Sequence, residues 1–240
     1  MTLLELIKEV CRRSNILIPS IAVTSQDKQI QQMIGIANQL LEDLAITRKQ
    51  WTSQVRTKSW TSIATPAQFA DIKAECSGFI DIIKDTFYDS SSRLNIIGPM
   101  SDAQWRQAQS ITYASAYWAY YINAGALYIY PTPAAGHALS FDYKSMNLVK
   151  DADTSEFKLY FTKDTDTCVL DDALLISGIK AMWREVKGLA FGADRDHFES
   201  LCRALQSVDG NKKEITMHGG ATQEGFVRPG IIIPDSNWPL

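Results

Sequence analysis

Leu3, Leu6, Ile7, Val10 and Cys11 recur at three- and four-residue steps, which lines one side of a helix with apolar groups. Thr2 with Glu5 three residues later has the form of a capping box, so this helix is expected to start at Thr2 and to end by Asn15. Ile16 to Val23 reads as a proline-broken connector. Thr24 or Asp27 would cap a second helix, on which Ile30, Met33, Ile34, Ala37, Leu40, Leu41 and Leu44 keep the helical period to about Lys49, and Trp51 closes the segment. The strongest helical signal lies between Asp164 and Phe191. Thr167, Asp171 and Asp172 are helix-starting residues, and Leu174, Leu175, Ile179, Met182, Trp183 and Val186 then form one apolar face. Gly188 and Gly192 bracket a break. A further helix follows with Phe198, Leu201, Cys202, Leu205 and Val208 on one side, stopped by Asp209-Gly210-Asn211. Together the two make a helical hairpin whose faces must meet each other or a third element.

Between these helices the period changes to two. Val55, Thr57, Ser59, Thr61 and Ile63 fall on one side of an extended chain, with Arg56, Lys58 and Trp60 on the other. Phe79 to Tyr88 is rich in Ile, Phe and Tyr, Ser90-Ser91-Ser92 is a turn, and Leu94 to Ile97 is a short strand. Ser101 with Gln104 suggests one helical turn around Trp105. Tyr113 to Ile122, Leu127 to Tyr130 and Ala138 to Lys144 are separated by Asn/Gly and Pro/Gly turns and read as an antiparallel meander. The expected fold class is α+β: a helical bundle from N- and C-terminal helices, an inserted antiparallel β-rich region and an extended C-terminal tail. The boundaries expected are 1–51, 52–162, 163–210 and 211–240.

The tail has Gly219-Gly220 near its start and three prolines from Phe226 to Leu240, which bar a continuous helix. Yet Phe226, Ile231, Ile232, Ile233 and Trp238 would each stabilise by roughly 1.5–3 kcal/mol if buried. Such a tail lies along its own domain or along another chain, and docking on another chain is the reading placed first, because extended apolar peptides suit grooves and sheet edges.

The chain has 240 residues, 45% hydrophobic and 21% charged, as in ordinary soluble globular proteins. Its net charge of −3 argues against a surface that coats nucleic acid. The adjacent basic pairs Arg12-Arg13, Arg48-Lys49 and Lys212-Lys213 read as solvated helix ends or turns. Cys11, Cys76, Cys168 and Cys202 lack the spacing of a zinc or redox motif and are expected as reduced thiols. Glu5, Lys8 and Glu9 interrupt any apolar leader, and the longest apolar run, Ala116 to Ile122, falls short of the roughly 20 residues that cross a bilayer. His137, His197 and His218 stand in no nucleophile-elbow or Cys–His pattern, so no catalytic residue is assigned and no cofactor or metal is expected. Asp164, Asp166, Asp171 and Asp172 fail the calcium-loop pattern, since Val169 and Leu175 occupy the positions that need Gly and Glu, and they read as turn and cap residues. The aromatics from Trp105 to Tyr130 could stack on sugars or bases, but at alternating strand positions they fit cross-strand packing better. Trp183 is expected to pack, and Arg184 to face a neighbour or solvent.

Three stretches together resemble a known family. They are Asp27 to Trp51 with Gln29, Ala37-Asn38 and Leu44; the hairpin Leu127 to Lys144; and Asp164-Thr-Asp-Thr through Trp183-Arg184 to Lys187-Gly188-Leu189. The chain is similar to the head–tail connector (adaptor) proteins of short-tailed bacteriophages, the tail tubular protein A type among them. The resemblance implies a non-enzymatic virion protein of the neck, made in the host cytoplasm. It implies copies of the chain joined in a dodecameric ring under the portal protein ring, tail nozzle or tail fibre proteins below, and genomic DNA passing through the channel without specific binding. Phe226, Ile231, Ile232, Ile233 and Trp238 would then contact the portal or a neighbouring subunit. A different class of function, a carbohydrate- or receptor-binding tail component, would instead use the aromatic β region around Trp105 and Trp118; a tail-associated hydrolase is a third.

Overall fold

Helix α1, Leu3–Ser14, starts where the sequence places its cap. The Thr2 hydroxyl accepts from the Glu5 N–H, the Glu5 carboxylate accepts from the Thr2 N–H, and Asn15 closes the helix in the left-handed conformation. A computed structural model describes residues 1–47, 51–110 and 117–209 of the chain. Helix α2, Lys28–Thr47, follows, and of its two candidate caps Asp27 is the one whose carboxylate accepts the Gln29 N–H. Trp51 is buried behind it, and the Gln54 amide donates to the Ala45 carbonyl at 3.2 Å, which fixes the exit from the helix.

The β-rich region contains β1 (Val55–Thr61), β2 (Ala67–Phe69), a single turn α3 (Ile72–Glu75), β3 (Phe79–Ile82), β4 (Tyr88–Asp89) and β5 (Leu94–Asn95). Then come α4 (Asp102–Ser110), β6 (Ala119–Asn123), β7 (Ala126–Tyr130) and β8 (Ala138–Ser145). Helix α4 is two and a half turns rather than the single turn expected, because Trp105 has a surface to lie on: its ring stacks on Tyr121 at 4.9 Å and meets Tyr128 at 5.5 Å. The meander holds only for the β6–β7 hairpin. Strand β8 belongs to a different sheet, pairing along its whole length with β1, from Val55 opposite Lys144 to Thr61 opposite Ala138. Its other edge takes β3 and then β4, with β5 outside β4. Strands β2, β7 and β6 form a second sheet.

Three short strands, β9 (Val149–Lys150), β10 (Phe157–Lys158) and β11 (Thr167–Cys168), lead back to the helices. Thr167 is therefore a strand residue and not a cap; Asp171 alone caps α5 (Asp172–Val186), accepting from the Ala173 and Leu174 N–H groups. Helix α6 spans Gly192–Asp209. The fold is α+β, with antiparallel sheets between N- and C-terminal helices. One apolar cluster joins α1, α2, α5 and α6 with Leu148, Val149, Phe161 and Leu170; the other lies within the sheets around Phe87, Phe141, Leu127 and Ile129. The described residues lie within one compact unit. Phe226, Ile231, Ile232, Ile233 and Trp238 lie outside the described residues, as do Tyr113, Arg48-Lys49 and Lys212-Lys213.

Candidate assembly surfaces

Leu174, Leu175, Ile179 and Trp183 are buried in the helical cluster, and Met182 packs against it half-buried. Val186 does not join them: it is 57% exposed. It is the final residue of α5, one turn beyond the point where the helix still has a partner face. Val208, near the end of α6, is 79% exposed, while Phe198 and Cys202 are buried as expected. Gly178 explains how closely these helices approach. A Cβ there would stand 2.6 Å from Leu40 Cδ2 and 2.8 Å from Phe198 Cε2, so α2 and α6 both press on the bare backbone. Trp183 is buried with its indole N–H unpaired, and the Lys187 ammonium lies 5.8 Å from its ring. Arg184 turns to Asp194, which also holds Lys180 at 2.8 Å.

The four aspartates near α5 act as turn and cap residues. Asp164 accepts the Ala22 and Val23 N–H groups at 3.0 and 2.7 Å and so fixes the connector between α1 and α2. Asp166 is fully buried and accepts from the Thr162 and Lys163 N–H groups and the Lys158 ammonium. Burial alone would raise its pKa, but these donors outweigh burial and hold the carboxyl below its usual range. Asp172 binds the N-terminal ammonium at 3.0 Å. Among the described residues no cluster has the composition of a metal site.

Asp89, Ser92 and His137 meet in a way the sequence did not indicate. The fully buried Asp89 carboxylate lies 2.9 Å from His137 Nδ1, and the Ser92 hydroxyl is 3.3 Å from that same nitrogen. A nucleophilic serine needs the imidazole nitrogen opposite the one held by the carboxylate. With both groups on Nδ1, the cluster ties the β4–β5 hairpin to the turn before β8. Trp118 meets the His137 ring edge-on at 4.9 Å, and Trp60 packs among Phe69, Phe87 and Phe141, so the aromatics are used largely in packing. Cys11, Cys76 and Cys202 are buried, and burial pushes the Cys168 thiol up to about 12, away from thiolate chemistry.

Two surfaces remain that the chemistry above does not use. The first is the connector, where Leu17 is 85%, Ile18 47% and Ile21 48% exposed, and whose following residues Val23 and Ser25 are held by Asp164 and the Gln31 amide. The second is a groove of about 400 Å³ between α2, α5 and α6, floored by Leu40, Leu44, Met182 and Phe198. Periodicity does not reveal either, since the connector has no period and the groove is a gap between helices. The one available signal was an apolar Leu-Ile-Pro-Ser-Ile sequence in a segment that should be polar.

The described residues form an α+β protein of N- and C-terminal helices with antiparallel sheets between them. The chain belongs to the SU10 adaptor protein family, whose model matches residues 1–218. No curated protein matches it. Membership makes it a structural adaptor of a bacteriophage, with a place in the virion neck beside portal and tail proteins. No helix among the described residues is long and apolar enough to cross a membrane.

Proposed function

We propose that the protein forms a head–tail connector ring, a dodecamer, below the portal, where it extends the DNA channel and offers a platform for tail nozzle or fibre proteins. The match of residues 1–218 to the adaptor family carries this reading. Further support comes from the charge: a subunit of net charge −3 suits a channel through which DNA slides, whereas clustered positive charge would retain phosphates. Rigid subunits with repeated head-to-tail contacts close into rings. Phe226, Ile231, Ile232, Ile233 and Trp238 provide the contact with the portal or a neighbouring subunit. The bundle, residues 1–51 and 163–210, carries the inserted 52–162 region as a separate domain.

Sizing the purified chain alone and with portal rings of the same virus tests the reading. A small species that joins the portal as a defined ring is the expected result. A stable small oligomer that ignores portal rings at every ratio overturns it. Deletion from Phe226 tests the tail: normal joining by the shortened chain removes these five residues from the contact.

A further inference from the structure

The two unused surfaces are complementary, and we infer that the apolar connector of one copy, Leu17, Ile18 and Ile21, seats in the α2/α5/α6 groove of the next. This rests on the ring reading above and specifies its subunit contact. Exposed apolar groups scattered singly call for no explanation, but three within five residues of one connector mark a binding surface. The connector is anchored at its far end, where Asp164 accepts from the Ala22 and Val23 N–H groups. The groove holds about 400 Å³, room for roughly three branched aliphatic side chains at interior packing density. Its floor is apolar, as such a knob requires.

Charge selects the partner. The connector follows directly on Arg12 and Arg13, whose side chains are 59% and 49% exposed and share the single carboxylate of Glu9. The groove rim among the described residues carries Asp43, Glu185 and Glu199 against Arg195, so it is acidic where the connector is basic. Position then permits a head-to-tail contact. Leu40, at the groove, lies about 18 Å along α2 from Lys28, just after the connector, at 1.5 Å per residue. Knob and groove are thus separate patches on one rigid helix. A contact between them can run head to tail from copy to copy, and in the ring proposed above it closes.

Disulfide trapping tests the contact. Leu17→Cys and Thr47→Cys place thiols on the knob and on the groove wall, both at exposed positions. On portal rings under mild oxidation, the double variant is expected to give a ladder of covalent oligomers. The mixed single variants should give dimers, and either single variant alone none. Independently, Arg12→Glu with Arg13→Glu should weaken ring formation at least about tenfold, and Asp43→Lys with Glu185→Lys should restore it. A ring that assembles without the ladder, or a charge exchange that fails to rescue, overturns this contact and leaves the connector-ring reading standing. A ladder that forms only after residues 211–240 are removed assigns the groove to the tail in the full chain and also overturns it. Failure to form any ring with portal overturns both.

Discussion

The helical core and the β core of this protein are held together by different means. The helical core is aliphatic: Leu3, Ile7, Met33, Leu41, Leu44, Leu174 and Ile179 are nearly or fully buried, and Gly178 lets three helices approach closely. The β core is aromatic: Phe87, Phe141, Trp60 and Tyr120 meet at centroid distances of 5.1 to 5.5 Å. In the first, each helix is specified by its own local period and cap. In the second, the central strand pair joins residues near 58 to residues near 141, with one other sheet, three further strands of its own sheet and several loops between them. Local rules therefore describe the helical core far better than the β core. Each core also has one fully buried carboxylate beside it, Asp166 on the helical side and Asp89 on the β side, and each is satisfied by neighbouring N–H groups.

The largest expected effect is in the β core. Phe141 is 1% exposed at the centre of β8 and touches Trp60, Phe87 and Tyr143. Phe141→Ala is expected to cost about 3–5 kcal/mol in denaturant unfolding. A cost under about 1 kcal/mol would mean that the aromatic cluster collapses around the gap, and that the contrast with the closely packed helices is wider than argued here.

Asp166 comes next. Asp166→Ala leaves the Thr162 and Lys163 N–H groups unpaired under α1, at an expected cost of about 1–3 kcal/mol. The acid limb of the stability profile gives the sign. The folded carboxyl titrates below its unfolded value near 3.9, so its contribution is complete above that pH and is lost as pH falls toward the folded value. The wild type should lose stability through this window more steeply than the variant. Parallel acid limbs would show that the Lys158 and backbone donors do not favour the charged form.

Gly178→Ala weighs two opposed effects. Alanine gains about 1 kcal/mol of helix propensity over glycine. The added methyl meets Leu40 and Phe198 at distances that real Cβ atoms do not show, and overpacking of this kind costs about 1–3 kcal/mol. The net expectation is a loss of about 1 kcal/mol in the free energy of unfolding. A gain in stability would show that the ends of the Leu40 and Phe198 side chains yield freely, and would remove Gly178 as the reason for the close approach.

The same division explains what the sequence could and could not disclose. Thr2 with Glu5, and Asp171, are legible because a cap acts within three residues. The strand Val55 to Thr61 was legible from its alternation, yet its partner was not, because pairing with β8 depends on how everything between them folds. Leu127 to Tyr130 pairs with β6 across a short turn, which suggested that the next strand would continue the same sheet; β8 crosses to β1 instead. Helix α4 was underestimated because its apolar support, Tyr121 and Tyr128, comes from strands that follow it. The groove and the exposed connector are properties of assembled elements, and only the apolar composition of Leu17, Ile18 and Ile21 hinted at one of them.

Val186 separates pattern from packing most directly, and has the smallest expected effect. Its spacing from Ile179, Met182 and Trp183 places it on the apolar face of α5, yet it is 57% exposed at the last helical position. Periodicity reports which way a residue points; burial also requires a neighbour at that level, and here the helix extends past its partners. Val186→Ser is therefore expected to change stability by no more than about 0.5 kcal/mol, whereas Ile179→Ala, one face and two turns earlier, should cost about 2–5 kcal/mol. A loss above about 1 kcal/mol for Val186→Ser in the isolated chain would extend the helical core by a turn. A negligible loss in the isolated chain, joined to weaker association in the ring, would instead make the end of α5 a surface that another chain covers.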